Sequence, residues 1–217
     1  MIPENTVIPF IMVIGAYLVG SINFAIIFTR LFTRKDIRTE GSGNAGMTNV
    51  MRSAGILPGV LTLIFDAAKG AFCCLIAQSA AGSYGYGFVN ADPAVFTLIM
   101  ASACTIGHFF PIFFKFKGGK GVATAAGVLA ILDFRVFLAA ICVFIICLIL
   151  TRIVSISSIT AASSVPLFVT IFTNPVTTEK FYITVLSLIY AGLVVFKHHE
   201  NISRLIRGKE KKFTFKK

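Results

Sequence analysis

"VATAAGVLAILDFRVFLAAICVFIICLIL", running from Val122 to Leu150, is apolar almost throughout, broken chiefly by Asp133 and Arg135. Whether it crosses a bilayer once or twice decides the architecture. As one helix rising ~1.5 Å per residue it would be about 43 Å long, whereas the hydrocarbon core is about 30 Å thick. Read as two short spans, Val122–Leu132 and Val136–Leu150, it joins five other apolar runs: Val7–Thr29, Ile56–Ser79, Ala94–Phe114, Ile153–Phe172 and Tyr182–Phe196. Cytoplasmic loops carry the excess of Lys and Arg, so the distribution of charge tests the count. Arg30, Arg34, Lys35, Arg38 and Arg52 follow the first run, Lys115, Lys117 and Lys120 the third, and Arg152 the fifth. The tail adds Lys197, Arg204, Arg207, Lys209, Lys211, Lys212, Lys216 and Lys217. Seven crossings put all of these on one side, leaving Arg135 and Lys180 on the other and Lys69 within a span. Six crossings would export the basic tail. The expected fold is therefore an all-α integral membrane protein with seven transmembrane helices, some of them short. Its N-terminus lies outside and its C-terminus in the cytoplasm. The loop "SYGYGFVNADP", Ser83 to Pro93, has no Lys or Arg and falls outside.

Composition agrees. Of 217 residues, 56% are hydrophobic and 13% charged, with net charge +11 and mean hydropathy +0.86; soluble domains carry about 25% charged residues. One domain, residues 1–217, is expected, with a basic tail over 209–217 that frays or rests on anionic headgroups. The start "MIPENTVIPF" has an acid and no basic leader, so the first run reads as a retained helix. Cys73, Cys74, Cys104, Cys142 and Cys147 all lie in apolar runs and read as small packing residues. The basic bias suits a bilayer surface, and no nucleic-acid partner is expected.

Polar groups gather at the cytoplasmic ends of the spans. In "GSGNAGMTNVMR", Gly41 to Arg52, the glycines let backbone N–H groups line an anion-binding concavity. Ser42, Gly43, Asn44, Thr48 and Asn49 supply further donors, and the Arg52 guanidinium matches a phosphate or carboxylate. Thr48 and Arg52 are one helical turn apart. The bland alternative is a flexible connector. In "KGGKG", Lys117 to Gly121, Lys120 sits on a turn with Gly118 and Gly119, ahead of a small-residue helix whose positive end suits an anion. It is not a P-loop, because Gly121 replaces the Ser or Thr that must follow the lysine. "SISS", Ser155 to Ser158, offers Ser157 and Ser158, although serines in such helices often bond their own backbone. In "KHHENISRL", His198 and Asn201 share a helix face, while Glu200 points elsewhere and is available to a basic group of another cluster. Asp66 and Lys69 lie within the second span, where ionisable groups are costly; their spacing lets them pair, and structural and catalytic roles both stay open. So do helix–helix bonding and a site role for His108. Acidic clusters that would hold Mg²⁺ at a phosphate site are missing, so no metal and no cofactor is expected.

These motifs, in this order, resemble the bacterial acyl-phosphate glycerol-3-phosphate acyltransferase family (PlsY). The family pattern is G-S-G-N-x-G-x-T-N-x-x-R, then D-x-x-K-G, then G-H-x-F-P with F-K-G-G-K-G-V-A-T, a serine-rich segment, and H-x-E-N-I-x-R-L. Here they stand as "GSGNAGMTNVMR", "DAAKG", "GHFFPIFFKFKGGKGVAT", "SISS" and "HHENISRL", with "GSINFA" in the first span. Met47 and His199 depart mildly from the pattern. The H-x-x-x-x-D pair of soluble-type acyltransferases is absent: Phe113, Ser203 and Arg204 stand five residues after the three histidines. The resemblance implies transfer of a fatty acyl group from acyl phosphate to the 1-hydroxyl of glycerol 3-phosphate. The products are lysophosphatidic acid and inorganic phosphate, in the first step of phospholipid assembly. It implies a monomer in the bacterial cytoplasmic (inner) membrane with its active site facing the cytoplasm. In that reaction Arg52 and Lys120 would neutralise phosphate, with Ser42, Thr48 and the glycine amides as donors. Gly43, Asn44, Asn49, Gly118, Gly119, Ser157 and Ser158 would complete the binding set. His198 and Asn201 would orient the glycerol hydroxyls. Asp66, Lys69, His108 and Glu200 would support. The rival reading is an organic-phosphate transporter built on the same pocket. Transporters often show inverted repeats and a midplane site, and neither is visible here.

Overall fold

The computed structural model describes residues 4–84, 93–172 and 178–213, and among these every regular element is helical. In chain order they are α1 (Glu4–Ser21), α2 (Phe24–Thr33), α3 (Met47–Ala54), α4 (Ile56–Tyr84) and α5 (Pro93–Phe109). Then come α6 (Val122–Leu132), α7 (Phe134–Thr151), α8 (Val154–Phe172), α9 (Thr178–Lys197) and α10 (His199–Ile206). Most of the "SYGYGFVNADP" loop, at residues 85–92, and the end of the tail, at 214–217, lie outside the described residues.

The opening stretch is two helices. Leu132 ends α6, and the Asp133 carboxylate accepts from the backbone N–H of Arg135 and Val136 at 2.9 and 3.4 Å, capping α7. The Arg135 guanidinium beside Asp133, opposed by burial, holds that carboxyl below its ordinary range. Among the described residues, five helical segments are long and apolar enough to cross a membrane: Val7–Thr33, Ile56–Ala80, Pro93–Phe114, Phe134–Thr151 and Val154–Phe172. A sixth is reached if Phe181–Lys197 and His199–Ile206, bent by 57°, count as one. The 11-residue α6 is about 16 Å long, roughly half the ~30 Å hydrocarbon thickness. Apolar side chains turned outward along these helices, such as Leu31 at 72% and Leu150 at 78% exposure, suit a hydrocarbon surround.

The first apolar run departs from the uninterrupted Val7–Thr29 helix. It breaks at Ile22 and Asn23, where the Asn23 side chain caps α2 by accepting from Ile26 N at 3.1 Å. A break inside a membrane helix frees carbonyls that need donors. Lys69 of α4 provides them, its Nζ lying 3.0 Å from Gly20 O and 2.6 Å from Ile22 O.

The chain forms two compact units, Met1–Leu132 and Asp133–Lys217. In the first, α5 packs on α1 and α4, α6 packs on α4, and α2 and α3 flank α4. The α1–α5 and α4–α6 crossings are so close that a Cβ at Gly20 would strike the Cys104 backbone and one at Gly127 the Ala67 backbone. Small residues at membrane-helix crossings permit this approach. Cys73, Cys74 and Cys104 are buried free thiols among Ala16, Ala77, Met100 and Ala101, acting as packing residues. In the second unit α8 packs between α7 and α9. Its tail, expected to fray from Lys209, is tied down through residue 213. Phe213 N donates to Arg152 O at 2.6 Å, and Glu210 is bonded at three points described below.

Candidate active site

The first unit carries two glycine-rich loops. The earlier one, residues 41–46, is shaped from beneath by Asn49. Its Nδ2 donates to Ile37 O, Glu40 O and Asn44 O at 3.2, 2.9 and 3.1 Å, and its Oδ1 accepts from Ser42 N at 2.9 Å. Asn49 is 3% exposed, so it acts as a strut of the loop rather than as a donor offered outward. Gly41 has φ +60, and a Cβ there would strike Asn49 Oδ1; only glycine combines that backbone with that contact. Ser42 and Gly43 stand exposed at the turn, and Asn44 is half-buried. Gly46 then starts α3 with no side chain capping it. Thr48 and Arg52 follow one turn apart on α3, Thr48 half-buried and Arg52 exposed.

The preceding loop is pinned by charge. Asp36 Oδ2 takes Arg30 Nη2 at 2.7 Å and Arg38 Nη2 at 2.8 Å, while Arg38 Nη1 donates to Phe114 O at 2.9 Å. The Arg38 hydrogen bond, against the opposing cost of burial, holds the Asp36 carboxyl well below the carboxylate range. Arg38 thus ties this loop to the start of the second glycine-rich segment.

That segment leaves α5 through a 3-10 turn and two left-handed residues, Lys115 and Phe116. Gly118 and Gly119 then run beneath His108. A Cβ at Gly118 would strike the His108 carbonyl, and one at Gly119 would strike both the His108 ring and the Ala45 carbonyl. The two glycine-rich loops therefore meet at Gly119. Lys120, half-buried, follows directly, and Ala125 N donates to Gly121 O at 2.8 Å to open α6.

Below the junction lies a buried ionic group. Asp66, Lys69 and His108 are 2%, 4% and 3% exposed. Lys69 Nζ is 2.9 Å from Asp66 Oδ1 and 3.0 Å from His108 Nδ1. The pairing that the Asp66–Lys69 spacing allows is made, and His108 bonds between helices.

The second unit carries the serines and the histidine motif. Ser157 Oγ donates to the backbone O of Ile153, four residues back at the start of α8, at 3.0 Å, the self-bonding alternative; Ser158 is buried. His198 stands at the bend between α9 and α10, 3% exposed. Its Nδ1 is 2.7 Å from Val194 O. A carbonyl only accepts, so in the neutral ring Nδ1 carries the proton and Nε2 is the basic nitrogen. Asn201 Nδ2 donates to Glu210 Oε1 at 2.5 Å, Ser155 Oγ donates to the same oxygen at 2.8 Å, and Arg204 Nε donates to Oε2 at 2.7 Å. Burial opposes the Glu210 charge, but the Arg204, Asn201 and Ser155 hydrogen bonds outweigh it and hold the carboxyl below its ordinary value. Glu200, available to a basic group of another cluster, pairs with Arg204 of its own helix at 3.7 Å and is exposed. Sequence reasoning missed Glu210. Its signal was a lone acid within the basic stretch "RGKEKK".

No group of three or more metal-ligating His, Cys, Asp or Glu occurs among the described residues.

Comparison with known proteins matches this arrangement to one family. The family model for glycerol-3-phosphate acyltransferases matches residues 10–208. A glycerol-3-phosphate acyltransferase of Syntrophotalea carbinolica is 42% identical over 206 residues, 94% of this chain and 97% of that protein. One of Geotalea daltonii is 41% identical over 94% of this chain and 96% of its own. A crystal structure of PlsY, an integral membrane glycerol 3-phosphate acyltransferase in its glycerol 3-phosphate form, superposes with TM-score 0.81 at 35% identity, covering 95% of this chain and 96% of that one. The lysophosphatidic acid form of PlsY superposes with TM-score 0.78 at 34% identity, covering 95% of both chains.

Proposed function

The chain belongs to the glycerol-3-phosphate acyltransferase family, and from that premise we propose that acyl phosphate is its donor. The 1-hydroxyl oxygen of glycerol 3-phosphate attacks the acyl carbonyl and the carbon–oxygen bond to phosphate breaks. Lysophosphatidic acid and inorganic phosphate leave. The hydroxyl proton passes to a substrate phosphate. An acyl phosphate is already an activated anhydride, so positioning and charge stabilisation carry most of the catalysis.

The observation that supports this reading best is the meeting of two amide-rich loops at Gly119, with Lys120 next to that junction and Arg52 on the helix that follows the other loop. Glycine-rich backbone followed by a helix start, with a guanidinium and an ammonium, is what a phosphate ester or anhydride demands. In this proposal Arg52 and Lys120 neutralise phosphate. Ser42, Thr48 and the amides around Gly43, Gly118 and Gly119 donate to its oxygens, with Asn44 and Ser158 in support. His198 and Asn201 orient the glycerol hydroxyls. The enzyme works as a monomer without a cofactor. It makes seven crossings of the bacterial cytoplasmic membrane, with α6 as a short crossing, N-terminus outside and active site toward the cytoplasm.

Donor competition tests the proposal. Purified enzyme in lipid, offered palmitoyl phosphate, palmitoyl-CoA or palmitoyl acyl carrier protein with glycerol 3-phosphate, is expected to acylate only from palmitoyl phosphate. Turnover from either thioester at a comparable rate would overturn the donor assignment.

A further inference from the structure

The buried Asp66–Lys69–His108 group takes no part in the chemistry above, yet it reaches both the α1–α2 break, at Gly20 and Ile22, and the junction of the two glycine-rich loops, at Gly119. Lys69 Nζ has three hydrogen-bond partners, Gly20 O, Ile22 O and His108 Nδ1 at 3.0, 2.6 and 3.0 Å; Asp66 Oδ1 is an ion-pair contact at 2.9 Å without a hydrogen bond, and lies 3.6 Å from His108 Nδ1. An ammonium has three N–H groups and no lone pair. A ring nitrogen 3.0 Å from it must therefore present its own lone pair, which places the ring proton of a neutral His108 on Nε2. Charge counting agrees. Asp66 and Lys69 cancel, and an imidazolium would add an uncompensated charge at a site 3% exposed. His108 Nε2 lies against Gly119, at the point the Ala45 carbonyl also approaches.

We propose that Asp66, Lys69 and His108 are positioning residues for the acyl transfer: Lys69 locks His108 as the Nε2–H form, and that N–H holds the junction of the two glycine-rich loops. The proposal rests on the transferase reading of those loops. Asp66 fixes the ammonium, and the ammonium fixes both the α1–α2 break and the imidazole. The imidazole sets where the Ala45 carbonyl and the Gly119 backbone meet. Lys120, one residue on, inherits its position from that contact. Misplacing a phosphate-binding group by about 1 Å is enough to cost roughly 100-fold in rate.

Two readouts test this. Ring ¹⁵N spectra of histidine-labelled protein, with the His108 signals assigned by their loss in His108→Gln, report the tautomer directly. The expected result is an unprotonated Nδ1 and a protonated Nε2. A protonated Nδ1, with or without a proton on Nε2, overturns the proposal, and this measurement needs no variant to be active. Kinetics per folded molecule supply the second readout. His108→Gln keeps an N–H near the Nε2 position and is expected to retain kcat/KM within about threefold. His108→Leu, similar in size but without the donor, is expected to lose roughly 100-fold. Wild-type kcat/KM in folded His108→Leu would reduce the group to a scaffold and refute the positioning role. A wild type without transferase activity would count against the function above, and the tautomer would still decide this inference.

Discussion

Removing the Lys69 ammonium is the sharpest perturbation of the fold that the structure offers. Lys69 and Asp66 lie 2.9 Å apart with side chains 3% and 2% exposed. At an effective dielectric of about 20, a pair at that separation attracts by roughly 6 kcal/mol, most of it offset by the cost of taking both charges out of solvent. Deleting one partner leaves the other charge buried, which costs about 3–5 kcal/mol when it stays uncompensated; for Asp66 the neighbour that can offset part of this is the His108 ring, its Nδ1 3.6 Å away. Lys69→Met also strips the donor from the Gly20 and Ile22 carbonyls at the helix break, for about 1–3 kcal/mol at each group that stays unsatisfied. A chain of this size loses roughly 2–4 °C per kcal/mol, so Lys69→Met is expected to lower the apparent Tm in detergent by at least about 6 °C. Asp66→Asn alone should be less harmful, since its amide oxygen can still face the ammonium. The double variant removes the stranded carboxylate, so it is expected to be more stable than the sum of the single losses predicts, by about 2 kcal/mol. Single effects that add within ~0.5 kcal/mol, or a Lys69→Met Tm within about 2 °C of the parent, would refute the argument.

Arg52→Ala is expected to cost about 2–4 kcal/mol of transition-state stabilisation, by comparison with loss of an oxyanion donor, seen as a roughly 30- to 1,000-fold fall in kcat/KM; an active Arg52→Ala enzyme would displace the phosphate from this guanidinium. His198→Gln is expected to raise the KM for glycerol 3-phosphate far more than it lowers kcat, because the substrate phosphate takes the proton; a collapse of kcat at unchanged KM would make His198 the general base. Glu210→Gln is expected to weaken the Ser155, Asn201 and Arg204 hydrogen bonds together, lowering Tm and raising the KM for glycerol 3-phosphate through Asn201; an unchanged Tm would contradict the strut. The folded Glu210 carboxyl titrates below its ordinary 4.5, so the unfolded chain binds more protons between the two values. Its contribution is full above about pH 4.5 and disappears as pH falls through the lower folded value. Acid melts of the parent and Glu210→Gln should therefore converge as pH drops below 4.5, and a constant Tm gap down to pH 2 would contradict the assignment.

Much of the candidate site's geometry was legible because its motifs are local. A glycine-rich run followed by Thr48 and Arg52 one turn apart, or a lysine on a diglycine, announces itself in a dozen residues. The break at Asp133 was legible for a different reason: one helix over the whole run would overshoot the bilayer, Asp133 and Arg135 interrupt it, and the basic charges sort to one side only with two spans. The break at Ile22 was not, because the group that stabilises it, Lys69, lies 47 residues away. Asn23 was the local hint, a capping side chain inside an apolar run. Asn49 was read as a ligand because its amide suits a phosphate as well as it suits a loop, and only the fold shows Ile37, Glu40 and Asn44 carbonyls converging on it. Glu210 was hidden by its basic neighbours. Its partners Ser155 and Asn201 stand 55 and 9 residues away in sequence, and no periodic pattern links them.

The central claim is that a glycerol hydroxyl drives the release of phosphate from an acyl phosphate. The direct measurement is phosphate release from palmitoyl phosphate by the purified protein in lipid, with and without glycerol 3-phosphate, alongside detection of the acylated product. The account predicts release that depends on glycerol 3-phosphate and matches lysophosphatidic acid mole for mole. Well-folded protein that binds glycerol 3-phosphate saturably yet releases no phosphate from the acyl donor would contradict it.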